Sequence, residues 1–144
     1  MRRNLSLKDL GDLLDLPILA ILAIPSPRDG ILMSPVWHEW TDGGFSVITW
    51  AKDIKSRRLS ENPACSIVVA EQVRPYRSIE LRGIATINQQ KDSYEILRRI
   101  ASRYLGNAKG DTYSKEYENN NVGIELIRIK PGILRTWDFS DDEF

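Results

Sequence analysis

Four cationic side chains stand within seven residues of this 144-residue chain, directly after a strand-like stretch that ends at Thr49. They are Lys52, Lys55, Arg57 and Arg58. Asp53 is a residue type that caps helix N-termini and Pro63 ends a helix, so the segment predicts a short helix with Lys55 in its first turn. Free backbone N–H groups at that turn favour anions. The segment is therefore either a solvated cationic helix face or a phosphate-binding site centred on Lys55.

The segment Ser34-Pro35-Val36-Trp37 is a second candidate site, because it places a proline inside a strand-like stretch. Pro35 has no N–H to donate to a neighbouring strand, and it restricts Ser34 to extended geometry. One interpretation is that the break leaves backbone groups free to contact a planar ligand. The other is an edge strand with an exposed Trp37, since strand prolines are commonest on edges.

Side chains for nucleophilic or metal chemistry are scarce in this sequence. His38 is the single histidine and has no supporting triad motif, which argues against a hydrolase. His38 and Glu39 point to opposite faces of a strand, which argues against a metal site. We expect His38 to be a polar, partly exposed strand residue, with a ligand-facing role as the alternative. Cys65 lies in an apolar strand pattern and is expected to be a buried structural thiol.

The composition narrows the class of protein. A length of 144 residues fits one domain, and 20 basic and 20 acidic side chains give zero net charge. Zero net charge argues against nucleic-acid binding, which basic residues beside Trp37, Trp40 and Trp50 would otherwise suggest. The charged N-terminus excludes a secretory signal, and no apolar run reaches the ~18 residues of a membrane span. We therefore expect a cytoplasmic protein that binds neither membrane nor nucleic acid.

The hydrophobic periodicity predicts a mainly β domain. The expected strands cover residues 18–24, 31–40, 45–50, 64–71, 76–88, 122–129 and 133–139. Because short turns join most of them, we expect an antiparallel barrel or sandwich with appended helices. The strongly apolar early strands favour the barrel.

Helices and loops complete this prediction. A short amphipathic N-terminal helix is expected within residues 1–16, and a longer helix runs from an Asp92–Glu95 capping box to Gly106. Residues 107–121 are polar and rich in Gly and Asn, which predicts a mobile loop and a candidate lid. The last two strands form a hairpin about 130–132, and 140–144 form a frayed acidic tail.

Short motifs spread over almost the whole chain resemble those of the flavin-binding split-barrel superfamily. They are Met33-Ser34-Pro35-Val36-Trp37, Thr41-Asp42-Gly43-Gly44, Thr49, Lys55, Leu59, Asn62-Pro63, Pro75-Tyr76-Arg77, Arg82-Gly83 and Arg103-Tyr104-Leu105-Gly106. That superfamily includes the pyridoxamine 5′-phosphate oxidases and the flavin/deazaflavin oxidoreductases. The Pro-Tyr-Arg and Arg-Tyr-Leu-Gly pieces resemble the second branch more closely.

The resemblance implies a six- to seven-stranded antiparallel split β-barrel with Greek-key topology, and a homodimer with its cofactor at the subunit interface. In that pattern Lys55 binds the cofactor phosphate, with Arg57 or Arg58 as helpers. The ring of FMN or of the deazaflavin cofactor F420 is contacted by Ser34, Pro35, Val36, Trp37, Ile48, Thr49, Arg77 and Ser78. For Trp137, a core or dimer contact is favoured over a place at the cofactor edge.

The activity that the resemblance implies is hydride transfer between the cofactor ring and a small organic substrate, with no catalytic side chain assigned. A non-enzymatic flavin carrier or sensor is the alternative, and a pyridoxamine 5′-phosphate oxidase is the third possibility. Against the third, Ile54 stands where the oxidase branch has a second cation before the phosphate lysine. Asp29-Gly30-Ile31-Leu32 also replaces that branch's usual lead into the first site strand.

Overall fold

The computed structural model describes residues 1–88 and 92–143. Its strands are β1 (Arg2–Arg3), β2 (Ala20–Ser26), β3 (Gly30–Val36), β4 (Glu39–Thr41), β5 (Gly44–Trp50), β6 (Ala64–Ala70), β7 (Ser78–Asn88) and β8 (Ile124–Asp138). Its α-helices are α1 (Ile54–Glu61), α2 (Ser93–Leu105) and α3 (Asn107–Asn119). Within the described residues, no helix has the length and apolar character needed to cross a membrane.

The described strands form one sheet in the order β3-β2-β6-β7-β8-β5-β4, with β1 paired to the end of β8. Every pairing is antiparallel, and the sheet does not close into a complete barrel. Strands β3 and β4 are joined by only two residues yet occupy opposite ends of the order, so the sheet curls round on itself. The prediction of a mainly antiparallel split β-barrel is confirmed.

Alternation of apolar residues directs one face of the sheet into the core. In β2 the side chains of Ala20, Leu22 and Ile24 are buried, and in β6 those of Cys65 and Ile67 are buried. Cys65 is the buried thiol that the sequence predicts, and burial raises its pKa to about 11. It is therefore a packing residue and a poor nucleophile at neutral pH.

The predicted N-terminal helix is wrong. The segment instead forms two single-turn 3-10 helices, Lys8–Leu10 and Leu13–Asp15, separated at Gly11, which has a φ of 61°. The leucine spacing reflects core packing, since Leu10 and Leu13 are fully buried. Burial of these two side chains does not need a continuous helix.

The predicted loop at 107–121 is also wrong, because helix α3 covers most of it. Gly106, with a φ of 87°, turns the chain directly from α2 into α3, so that the two helices pack against each other. At Gly110 a β-carbon would lie only 2.4 Å from Oγ of Ser102 on α2. The glycine that suggested a loop permits this close approach of the two helices.

The predicted C-terminal hairpin is one strand, β8, which pairs with β5 over its first half and with β7 along its length. The register shifts opposite Arg82 and Gly83, where β8 carries Pro131 and Gly132. A β-carbon on Gly83 would lie 2.0 Å from the Lys130 carbonyl oxygen. The Pro-Gly pair therefore marks an irregularity within a strand and not a turn.

Two smaller expectations also change. The strand expected at 31–40 is divided into β3 and β4 at Trp37 and His38. The acidic tail is anchored, since Asp142 pairs with the Met1 amino group and its carbonyl accepts a 2.8 Å hydrogen bond from Arg74. Phe144 lies outside the described residues.

Candidate functional site

A cavity of about 360 Å³ opens where the ends of β3 and β5 meet the three helices. Its lining residues are Leu19, Pro35, Val36, Trp37, Ile48, Thr49, Trp50, Asp53, Lys55, Leu97, Ile100, Tyr113, Tyr117 and Ile124. Most of these side chains are apolar or aromatic, and the polar ones lie mainly at α1 and α3. This volume and this lining are typical of small-molecule and cofactor sites.

Strand β3 supplies one wall of the cavity. It is an end strand of the sheet, and Pro35 pairs with Ile21 of β2 on one side only, as strand prolines require. Just beyond β3, Trp37 stacks on Tyr104 of α2 with ring centroids 5.1 Å apart and an angle of 9° between the rings. This stacking fixes a flat indole at the cavity wall. The edge-strand interpretation is correct for Pro35, whereas Trp37 is partly buried and lies in the cavity lining.

Helix α1 supplies the charged end. Asp53 caps the helix, since its Oδ1 accepts the Lys55 backbone N–H at 2.9 Å. Lys55 Nζ lies 2.8 Å from the same oxygen, so the side chains form an ion pair in the cavity lining. Partial burial tends to raise the pKa of Asp53, but the two hydrogen bonds from Lys55, its charge and a hydrogen bond from Thr49 outweigh burial and lower that pKa. Asp53 is therefore a carboxylate at neutral pH.

Helix α3 supplies the wall that the sequence interpretation missed. Tyr113 and Tyr117 lie one turn apart, and their hydroxyl oxygens are 3.0 Å apart. Burial, followed by this hydrogen bond, raises the pKa of Tyr113 to about 12, so its hydroxyl stays protonated at neutral pH. The i, i+4 spacing of two tyrosines was an available helical signal, although the glycine and asparagine content obscured it.

His38 lies behind the cavity wall and is not one of the lining residues. The expectation of a partly exposed side chain is wrong: His38 has no exposed surface and packs edge-on against Phe45. Its Nε2 donates to the Ile18 carbonyl oxygen at 3.1 Å, while Nδ1 is buried with no partner in the described structure. Burial and then the Arg103 charge lower the pKa of His38 to about 4.

The predicted site residues separate into two groups. The cavity brings together Lys55, Pro35, Val36, Trp37, Ile48 and Thr49. It does not include Ser34, Arg57, Arg77 or Ser78. Arg57 is exposed on α1, whereas Arg58 pairs with Asp29 at 2.7 Å.

Arg77 has a clear place in the fold. Its guanidinium pairs with Glu71, lies 2.8 Å from Asp12 and donates to the Leu10 carbonyl. These contacts fasten the N-terminal segment to the end of β6. Trp137, for which a core or dimer contact is expected, lies on β8 beneath the Arg135 guanidinium at 4.8 Å and is not one of the lining residues.

No family model matches this sequence, and no curated protein matches it. Solved structures do share its fold. A conserved hypothetical protein from Mycobacterium tuberculosis is 22% identical with a TM-score of 0.75, covering 94% of this chain and 86% of that one. An F420 reductase is 20% identical with a TM-score of 0.66, and the match covers 85% of this chain and 93% of the reductase. A putative pyridoxamine 5′-phosphate oxidase from Listeria innocua is 15% identical with a TM-score of 0.64, and the match covers 92% of this chain and 96% of that protein.

The chain shares the fold of these solved structures, an F420 reductase among them. The resemblance in the sequence motifs is thereby confirmed at the level of the fold. Sequence identities of this size establish a shared architecture. The activity and the cofactor have to be argued from the residues of the site.

Proposed function

We propose that this protein is an oxidoreductase that binds FMN or F420 and transfers a hydride between the cofactor ring and a small organic substrate. The observation that carries the proposal is the cavity itself, in which apolar and aromatic walls lead to a lysine in the first turn of a helix. A tricyclic ring fits the apolar part, and the phosphate end of its side chain fits at Lys55. The split-barrel fold, shared with an F420 reductase, supports the same assignment.

Residues of this chain bind and orient the cofactor in this proposal. Lys55 holds the phosphate, Pro35 of β3 and Trp37 just beyond it pack on the ring, and Ile48 and Thr49 contact the ring from β5. The cofactor supplies the hydride chemistry when it is bound. The protein contributes orientation and exclusion of water, a role that the mainly apolar and aromatic described lining suits.

The substrate would lie on the α3 side of the ring. Tyr113 and Tyr117 face the cavity there, and the Tyr113 hydroxyl stays protonated. A protonated hydroxyl donates a hydrogen bond to a carbonyl, nitro or similar acceptor oxygen. Leu97 and Ile100 of α2 close the same side with apolar surface.

A homodimer is part of the proposal, with the cofactor near the subunit interface. Leu19 and Trp50 are more than half exposed at the cavity although both are apolar. A second subunit would cover them and could bring Ser34, Arg57, Arg77 or Ser78 toward the cofactor. The ion pairs of Arg77 favour a structural role for that residue instead.

The test is to titrate the purified protein with FMN and with F420, following absorbance and fluorescence. The bound cofactor is then reduced anaerobically and mixed with carbonyl, quinone and nitro acceptors. Stoichiometric binding and acceptor-dependent reoxidation are the expected results. Binding without reoxidation by any acceptor would favour the carrier or sensor, and a protein that binds neither cofactor would overturn the proposal.

A further inference from the structure

Asp53 and Lys55 are the charged residues of the cavity lining in the described structure, and they neutralise each other. Their side chains are 18% and 17% exposed. An entering phosphate therefore meets a carboxylate beside the ammonium group. The same carboxylate also accepts the Lys55 backbone N–H, a donor that would otherwise attract an anion to the start of α1.

Neighbouring cations do not compensate for this carboxylate. Arg58 is held by Asp29 at 2.7 Å, and Arg57 is exposed and outside the lining. Ile54, directly before Lys55, is uncharged. Among the described residues, the phosphate end of the cavity thus offers one ammonium group, that of Lys55, and Asp53 largely cancels its field.

Such a site discriminates between phosphates by charge. A phosphomonoester carries about −1.5 to −2 charges at neutral pH, whereas a phosphodiester carries one. The cost of removing an ion from water rises with the square of its charge, whereas its attraction to a fixed field rises only linearly. When the attracting field is weakened, the doubly charged ligand therefore loses more binding free energy than the singly charged one.

We propose that Asp53 biases the cavity against doubly charged phosphates, so that a cofactor with a singly charged phosphodiester binds in preference to a phosphomonoester. Asp53 is then a specificity-determining residue in addition to a helix cap. This inference rests on the proposed function, since it assumes that the cavity holds a phosphate-bearing ring cofactor.

The test compares three ligands that share one ring: riboflavin, FMN and the methyl phosphodiester of FMN. Their dissociation constants are measured by flavin fluorescence with the wild type and with Asp53→Asn. Asparagine retains the helix cap while removing the charge. Glu61→Gln is the matched control, because it removes an exposed carboxylate from the last turn of the same helix, outside the cavity lining.

The wild type is expected to bind the methyl diester more tightly than FMN. Asp53→Asn should strengthen binding of the diester about threefold and of FMN about tenfold, because removal of one charge acts on each ligand in proportion to its own charge. Riboflavin affinity should not change, and Glu61→Gln should change none of the three affinities. Asp53→Ser, which also caps a helix, provides a second neutral variant if the first does not fold.

A wild type that prefers FMN, or equal gains for the two phosphates in Asp53→Asn, would overturn this inference while leaving the proposed function intact. If the wild type binds F420 and none of the flavins, Asp53→Asn must strengthen F420 binding without affecting the phosphate-free ring of F420. An unchanged F420 affinity would then overturn the inference. Failure of the wild type to bind any of these compounds would instead contradict the proposed function.

Discussion

At the scale of single residues, Lys55 owes its position to its immediate neighbours. The Asp53 cap starts α1 after β5, and the second residue of a helix beginning there projects into the space beyond the strand end. The Asp53 cap, Lys55 and strand β5 follow one another closely in the sequence, so the rules for helix caps and strand ends predict their arrangement. The proposed phosphate contact can be tested at this one side chain.

Replacing Lys55 by alanine should weaken FMN binding about tenfold or more, since a charge-assisted hydrogen bond contributes about 1.5–3 kcal/mol. Riboflavin affinity should change little, and bound FMN should be reduced and reoxidised as in the wild type. Lys52→Ala is the matched control, because Lys52 is exposed and lies outside the cavity lining. Equal losses for FMN and riboflavin would contradict a phosphate-binding role.

His38 makes the stability of the fold depend on pH. Its pKa falls from 6.5 to about 4 on folding, so between those values the unfolded chain binds a proton that the folded chain does not. The stability that neutral His38 contributes to the folded state is fully present above pH 6.5. It is lost as pH falls toward 4, and the loss in unfolding free energy amounts to about 3 kcal/mol.

Urea unfolding of the wild type and of His38→Gln at several pH values checks this expectation. Their difference in unfolding free energy should be constant above pH 6.5 and should shift by about 3 kcal/mol in favour of the variant by pH 4. Parallel pH profiles would show that His38 keeps its ordinary pKa in the folded protein.

At the scale of elements, α2 and α3 pack as a hairpin with small residues at their contact. Gly110 lies against Ser102, and the Ser114 hydroxyl donates to the Tyr94 carbonyl at 2.7 Å. Most of the other α3 side chains face solvent. Among them, Asp111 and Lys115 form an ion pair at 2.9 Å. Polar composition therefore reflects an exposed helix and not a loop.

Gly110→Ala should destabilise the protein by about 1–3 kcal/mol, because the added methyl group overlaps the α2 backbone at Ser102. In an unpacked helix the same change would stabilise by up to about 1 kcal/mol. Chemical denaturation measures whether the unfolding free energy rises or falls. Lys109→Ala, at an exposed residue of the same helix, is the control. A stabilised Gly110→Ala variant would show that α3 does not pack against α2 as described.

At the scale of the whole molecule, the outer face of the open sheet carries uncovered apolar side chains. Ile31 and Met33 on β3 are each 64% exposed, and Ile84 and Ile133 on β7 and β8 are each more than half exposed. The pairing of β3, β2, β6, β7 and β8 places them on one continuous sheet. Such a face favours association with a second copy.

Met33→Lys should convert a wild-type dimer to a monomer at micromolar concentration, because the lysine would be buried without a partner. Sedimentation velocity measures the change, and cofactor binding should weaken with it. Val73→Lys introduces the same charge at an apolar residue that is 68% exposed in the β6–β7 connection, and serves as the control. A monomeric wild type would contradict the proposed dimer.

The sequence by itself determined the elements that depend on neighbours along the chain. These are the capped helix α1, strand β5 before it, the long helix α2 and the buried strand β6 with Cys65. Alternation, helix caps and proline act over a few residues, so their effects can be predicted without knowledge of the fold.

Only the tertiary structure decided which residues share the cavity. It brought Tyr113 and Tyr117 into the cavity lining, with Tyr113 packed against Trp37, tied Arg77 to Glu71 and Asp12, and joined two predicted strands into β8. Each of these outcomes depends on a partner far away in sequence: α2 for α3, the N-terminal segment for Arg77, and β7 for β8. Packing against such partners overrode local glycine and proline signals, which is why the 107–121 loop and the C-terminal hairpin were predicted wrongly. The Asp53 cap was predicted correctly, whereas the Asp92 side chain makes no cap hydrogen bond at the start of α2.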